Sequence, residues 1–150
     1  MRLARQLAGA FAFSAVTATS TALMAAAPAS AHEVPAPCGD SAQACVDLSE
    51  NRAWLMDGGT ETYGPVRISH GMDGYETPSG TFQVSFKDID HRSSIYDDAP
   101  MPYSVFFNGG IAFHAGDTSE ESHGCVRLSS GAAETFYNTL SPGDVVQVVD

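Results

Sequence analysis

The sequence predicts a mostly β domain carrying one short helix, and three observations predict it. Phe82, Val84 and Phe86 alternate with Thr81, Gln83 and Ser85, the period of a half-buried strand. Asp57-Gly58-Gly59 and Asn108-Gly109 are tight-turn sequences between strand-type runs. Helical spacing is evident once, where Ala133, Phe136, Tyr137 and Leu140 recur at i, i+3, i+4 and i+7.

Taken in order, residues 1–31 have the layout of a secretory signal peptide. Arg2 and Arg5 form a basic start, Leu7 to Met24 is largely apolar, and Ala29-Ser30-Ala31 is a small-residue cleavage site. Residues 32–44 are rich in Pro and Ala and predict an irregular tether before a domain spanning 45–150. Val46 to Met56 turns at Ser49-Glu50-Asn51-Arg52, which predicts a hairpin, with Trp54 packed in the core or on a strand face. Asp57-Gly58-Gly59 leads into a strand over 62–68, and 69–79 reads as a loop. Gly80 to Lys87 predicts one strand. Asp88 to Pro102 is polar, carries two prolines and predicts a long lid or binding loop. Tyr103 to Phe107 and Ile111 to Phe113 predict a hairpin that delivers His114 at its end. Ser129 or Ser130 caps the helix, Ser141-Pro142-Gly143 ends it, and 144–149 is a last strand.

Charge and cysteine content narrow the chemistry. Loss of residues 1–31 leaves five basic residues against 18 acidic ones, a net charge of −13. Such a surface disfavours nucleic acid and anionic lipid as partners. After signal cleavage no stretch approaches the roughly 20 apolar residues of a spanning helix, so no membrane association is expected. A single compact domain, a monomer, is expected. Three cysteines in a secreted chain leave one unpaired. Cys38 and Cys45 can close a local disulfide clip, contributing about 2–3 kcal/mol on the chain-entropy model. Cys125 is then the free thiol, in the run Ser122-His123-Gly124-Cys125-Val126-Arg127-Leu128. An imidazole can take a thiol's proton, and Gly124 lets the chain turn so that its amides face a developing oxyanion. His70 and His91 read as surface-loop residues, with a role in the lid as the alternative reading for His91.

His114, the Ser122–Leu128 run and the upstream Thr77-Pro78-Ser79-Gly80-Thr81-Phe82 together resemble the YkuD-type L,D-transpeptidase catalytic domain. The resemblance spans nearly all of 45–149. It implies a β-sandwich-like, mostly antiparallel fold with the short helix after the cysteine motif. It also implies acyl transfer on peptidoglycan stem tetrapeptides in cell wall remodelling. Cys125 forms a thioester and an amine of a second stem resolves it, giving a 3→3 cross-link. The base is His123, closer in sequence, or His114, the one expected to meet the thiol in space. Ser122, His123, Gly124 and the local amides shape the site. Arg127 orients the loop or binds a carboxylate, and Tyr103 helps line the donor cleft. No metal or organic cofactor is required, and carbapenem β-lactams are expected to acylate the cysteine.

This chain departs from the family pattern in having 11 positions from His114 to Cys125, fewer than many members. Asp117, Glu120 and Glu121 crowd that short loop, opposing a thiolate while favouring an imidazolium. Three other readings compete: water resolving the thioester, making an L,D-carboxypeptidase; a catalytically silent wall-peptide binder; and a zinc site on His114, His123 and Cys125.

Overall fold

The computed structural model describes residues 34–150; the signal-peptide reading of 1–31 lies outside them. Nine strands and one helix follow in order: β1 (Ala44–Asp47), β2 (Arg52–Asp57), β3 (Thr60–Ser69), β4 (Gly80–Gln83), β5 (Phe86–Arg92), β6 (Pro100–Asn108), β7 (Ile111–Ala115), β8 (Val126–Leu128), α1 (Ser130–Thr139) and β9 (Val145–Val149). The hairpins β1–β2, β2–β3 and β6–β7 lie where their turn sequences predict, and Ser129 caps α1 by accepting the Ala132 amide. Among the described residues, no helix is long and apolar enough to cross a membrane.

The strands form one sheet in the order β4-β9-β1-β2-β3-β8-β7-β6-β5. It curls on itself, because side chains from both halves enter a single core. Ala44, Val46, Leu55, Val146 and Val148 meet Val105, Phe107, Phe113, Val126 and Leu128, and Phe136 of α1 fills the space between. Phe136 lies 5.1 Å from Phe113 and 6.3 Å from Tyr63, ring to ring. This is the mostly β, sandwich-like arrangement with one short helix that the sequence predicts. Two pairings are parallel, β1 with β9 and β7 with β8; the second positions the site.

The single strand predicted over 80–87 is two strands. β4 pairs with β9, and after the Val84-Ser85 link β5 pairs with β6 on the other half of the sheet. The Val84 amide donates to Asp144 O and the Ser85 amide to Phe106 O, so this link ties the two ends of the curl together. The predicted 88–102 loop is also mostly strand, and only Ser93–Ala99 loops out. Pro100 and Pro102 are tolerated because the start of β6 pairs with β5 alone, so a missing N–H on its other side disrupts no ladder.

The segment before β1 is irregular but docked. The Ala36 amide donates to Glu61 Oε1, the Gly39 amide to Gln147 Oε1 and the Gln43 amide to Val145 O. The Cys38–Cys45 disulfide fixes it over Trp54 and Met56.

Candidate active site

The parallel register of β7 on β8 sets Phe113 beside Val126 and His114 beside Arg127. Paired residues in a sheet point to the same face, and successive residues to opposite faces. Phe113, Val126 and Leu128 therefore enter the core. Ala112, His114, Cys125 and Arg127 emerge together on the outer face. There His114, Cys125 and Arg127 line a cleft of about 740 Å³ with Phe86, His91, Met101, Phe106 and Ile111. The Ser93–Ala99 loop closes one side of it through Ile95 and Tyr96.

Small residues and side-chain bonds shape the turn that delivers the thiol. Ser122 is buried; its Oγ accepts the Gly124 amide at 3.1 Å and donates to Cys125 O. Gly124 sits at φ +115°, a conformation that side chains rarely adopt. The buried Thr77 hydroxyl accepts the Gly71 amide at 3.0 Å and donates to Gly124 O at 2.7 Å, fastening the motif to a loop 47 residues upstream. Gly71 is needed for this closure, since a Cβ there would lie 1.9 Å from Tyr75 O. The Ser122 amide donates to His70 O and the Met72 amide to Ser122 O, completing the attachment.

The two histidines near the thiol differ sharply. His114 is buried, and its Nδ1 lies 2.9 Å from Ala115 O. Only a protonated Nδ1 bonds a carbonyl, which fixes the tautomer and leaves Nε2 as a lone-pair acceptor. Burial pushes its pKa below the ordinary histidine value, opposed by the Ala115 carbonyl; Arg127 and His91 lower it further. His123 is exposed, with its ring stacked on Tyr96 at 4.4 Å and edge-on to Tyr75 at 4.7 Å. Cys125 Sγ is 3.7 Å from Gly110 O. Burial pushes the thiol pKa up, with an Ala112 amide bond and the Arg127 charge pulling it back. At neutral pH both the thiol and the His114 imidazole are therefore driven toward their uncharged forms.

The remaining expected residues divide. Arg127 lines the cleft and donates through Nη1 to Glu120 O at 3.2 Å, holding the Gly116–Glu121 loop. Tyr103 does not line the cleft; it packs on the core side against Tyr137 of α1, 5.9 Å ring to ring. It sits with Val105 and Phe107 on the core face, opposite the thiol, and its positive φ of 59° breaks the alternation that would have set it on the face of Met101. His91 belongs to β5 rather than to a loop. It faces the cleft with Nδ1 3.0 Å from Asp88 Oδ2 and its ring 4.9 Å from Phe106. The Gly124 amide, expected in an oxyanion hole, is engaged by Ser122 Oγ, leaving those of His123 and Cys125 as the motif's remaining donors. Among the described residues, no group of three or more His, Cys, Asp or Glu converges as metal ligands. The Thr77 fastening was the feature that local spacing did not reveal.

Against known proteins, the family model for the YkuD L,D-transpeptidase catalytic domain matches residues 41–148. An L,D-transpeptidase from Stackebrandtia nassauensis superposes with a TM-score of 0.67 at 32% identity, over 71% of this chain and 54% of that one. One from Mycobacterium tuberculosis H37Rv gives 0.64 at 25% identity, over 70% and 56%. L,D-transpeptidase 3 from Mycobacterium tuberculosis, solved with a faropenem-derived adduct, gives 0.63 at 24% identity over 70% and 58%. The chain thus spans little more than half the length of these relatives. No curated protein matches it significantly.

Proposed function

The chain belongs to the YkuD family of L,D-transpeptidase catalytic domains, and from that premise we propose a secreted enzyme that cross-links peptidoglycan through a Cys125 thioester. The observation that carries this reading is the β7–β8 register. It gathers Cys125, Arg127 and a tautomer-fixed His114 on one wall of a single cleft.

In the proposed reaction Cys125 Sγ attacks the carbonyl between the diamino acid and the terminal D-alanine of a tetrapeptide stem. His114 Nε2 takes the thiol proton and returns it to the D-alanine nitrogen as the C–N bond breaks. The acyl group is left on sulfur as a thioester. A side-chain amine of a second stem then attacks, giving up a proton to His114, and the thiolate leaves and is reprotonated. The Cys125 and His123 amides face the tetrahedral oxygen. A neutral thiol beside a neutral imidazole suits this order of events: the proton moves when substrate arrives, and the resting thiol resists oxidation outside the cell. His123, committed to two tyrosine rings, serves the shape of the site rather than the proton transfer.

Intact-protein mass spectrometry after incubation with a carbapenem tests the nucleophile. One covalent equivalent on the wild type and none on Cys125→Ala is the expected result. Absence of an adduct on folded, reduced protein overturns the reading. A tetrapeptide supplied with and without an amine acceptor then separates cross-linked product from hydrolysed tripeptide.

A further inference from the structure

A second cleft, of about 370 Å³, lies on the other side of the Gly116–Glu121 loop. Arg52 and Arg67 line it and stand directly opposite each other in the β2–β3 register. Like charges placed opposite one another on a sheet repel. The pairing is notable in a chain with five basic residues against 18 acidic ones after residue 31. Among the described residues, neither guanidinium has a carboxylate oxygen within 4.0 Å, and neither donates a hydrogen bond to the protein. Each guanidinium carries five N–H donors in a planar fork that fits a carboxylate. Asn51, Ser69, Thr118 and Ser119 add polar groups around the pair, while Glu50, Glu120 and Glu121 stand at the same cleft. Those carboxylates exclude a polyanion and suit a ligand with a single negative group. Glu120 also lines the Cys125 cleft, and its carbonyl accepts from Arg127, so the two clefts share a wall.

We propose that Arg52 and Arg67 form a carboxylate-binding site for the free C-terminus of a peptide, separate from the acylation cleft. This site rests on the reading above only in naming the stem peptide as the source of that carboxylate. The pair sets two free guanidinium forks beside the loop that frames the thiol, where they can hold one carboxylate through short-range, directional hydrogen bonds.

The test uses N-acetyl-D-alanine as probe and its carboxamide as the uncharged control. Binding to the full mature chain is followed by ¹⁵N NMR, including the arginine Nε–H signals. The acid is expected to shift Arg52, Arg67 and the Asn51 and Ser119 amides, while the carboxamide leaves them in place. In Arg52→Gln/Arg67→Gln the apparent affinity falls at least fivefold, while carbapenem acylation of Cys125 stays within twofold of wild type. Equal shifts with the carboxamide, no shifts at this cleft, or unchanged affinity in the double variant overturns the proposal. Because acylation is read separately, failure at Cys125 and failure at the arginine pair are distinguishable.

Discussion

Both halves of the sheet carry an apolar cluster on the outer face, away from the shared core, and the two are treated oppositely. On the first half, Cys45, Trp54 and Met56 are sealed under the segment that precedes β1, which contributes Ala42 to the cluster and is clipped by Cys38–Cys45. On the second, Met101, Phe106 and Cys125, packed around Ala112, form a similar patch that lines the cleft. The loop above it has Ile95 75% exposed. The chain has three cysteines; two are oxidised in the sealed patch and the third is free in the open one. A strand alternation that can pack two faces yields stability where a strap covers the outer one and reactivity where none does.

If that division is right, substitutions on the two outer faces should affect different observables. His114→Gln has the largest expected effect: carbapenem acylation slows by about 10²–10⁴-fold, the usual worth of a positioned base. Its thermal midpoint should move by only a few degrees. A variant that unfolds instead would show that the open face is structural too. Cys38→Ser/Cys45→Ala is the mirror experiment. Removing the clip should cost about 2–3 kcal/mol in denaturant unfolding, with acylation within twofold of wild type. Loss of acylation in a folded protein would mean that the sealed face supports the chemistry.

Thr77→Val sharpens the boundary, because Thr77 lies under the motif rather than in the cleft. The variant strands the Gly71 amide and the Gly124 carbonyl, both held by the hydroxyl. A stability loss of about 1–2 kcal/mol is expected, together with a roughly tenfold slower acylation as the turn bearing Cys125 loosens. Stopped-flow acylation and chemical unfolding on one preparation separate the two effects; an unchanged acylation rate would remove Thr77 from the positioning of the thiol.

The sealed half was the more legible in the sequence, and the reason is range. Its hairpins are set by adjacent turns at 49–52 and 57–59, and its clip spans seven positions. The cysteine motif and His114 were equally legible, being 11 positions apart with a turn at Asn108-Gly109 before them. What stayed hidden depends on distant partners. Alternation from Phe82 to Phe86 runs unbroken across a change of partner from β9 to β6, because periodicity reports a strand's faces and says nothing of its neighbours. The part of β5 after Lys87 reads as loop because this edge strand has no apolar buried face: polar Asp88 and His91 are half-buried while Ile89 is exposed. Tyr103 follows the same logic: its strand was read correctly, but a positive φ of 59° and the curl of the sheet decide which face it takes.

The smallest effect gives the finest test, because Arg127 acts on both reacting groups through charge. It lowers the pKa of buried His114 and also that of the Cys125 thiol, in each case behind the larger influence of burial. With wild type, acylation requires neutral His114, so the rate should rise with pH through a midpoint below the ordinary histidine value of about 6.5. Arg127→Gln removes a cation that disfavours the imidazolium, so that midpoint should move up, toward 6.5. The same change removes a cation that favours the thiolate, so the midpoint for iodoacetamide alkylation of Cys125 should also move up, away from neutrality. Each shift is expected to be small, since the Arg127 side chain is partly solvated. Movement in the same direction is the signature of a shared charge. Midpoints that move in opposite directions would instead mean that losing the Arg127–Glu120 bond has rearranged the loop, making Arg127 a structural tie rather than an electrostatic one.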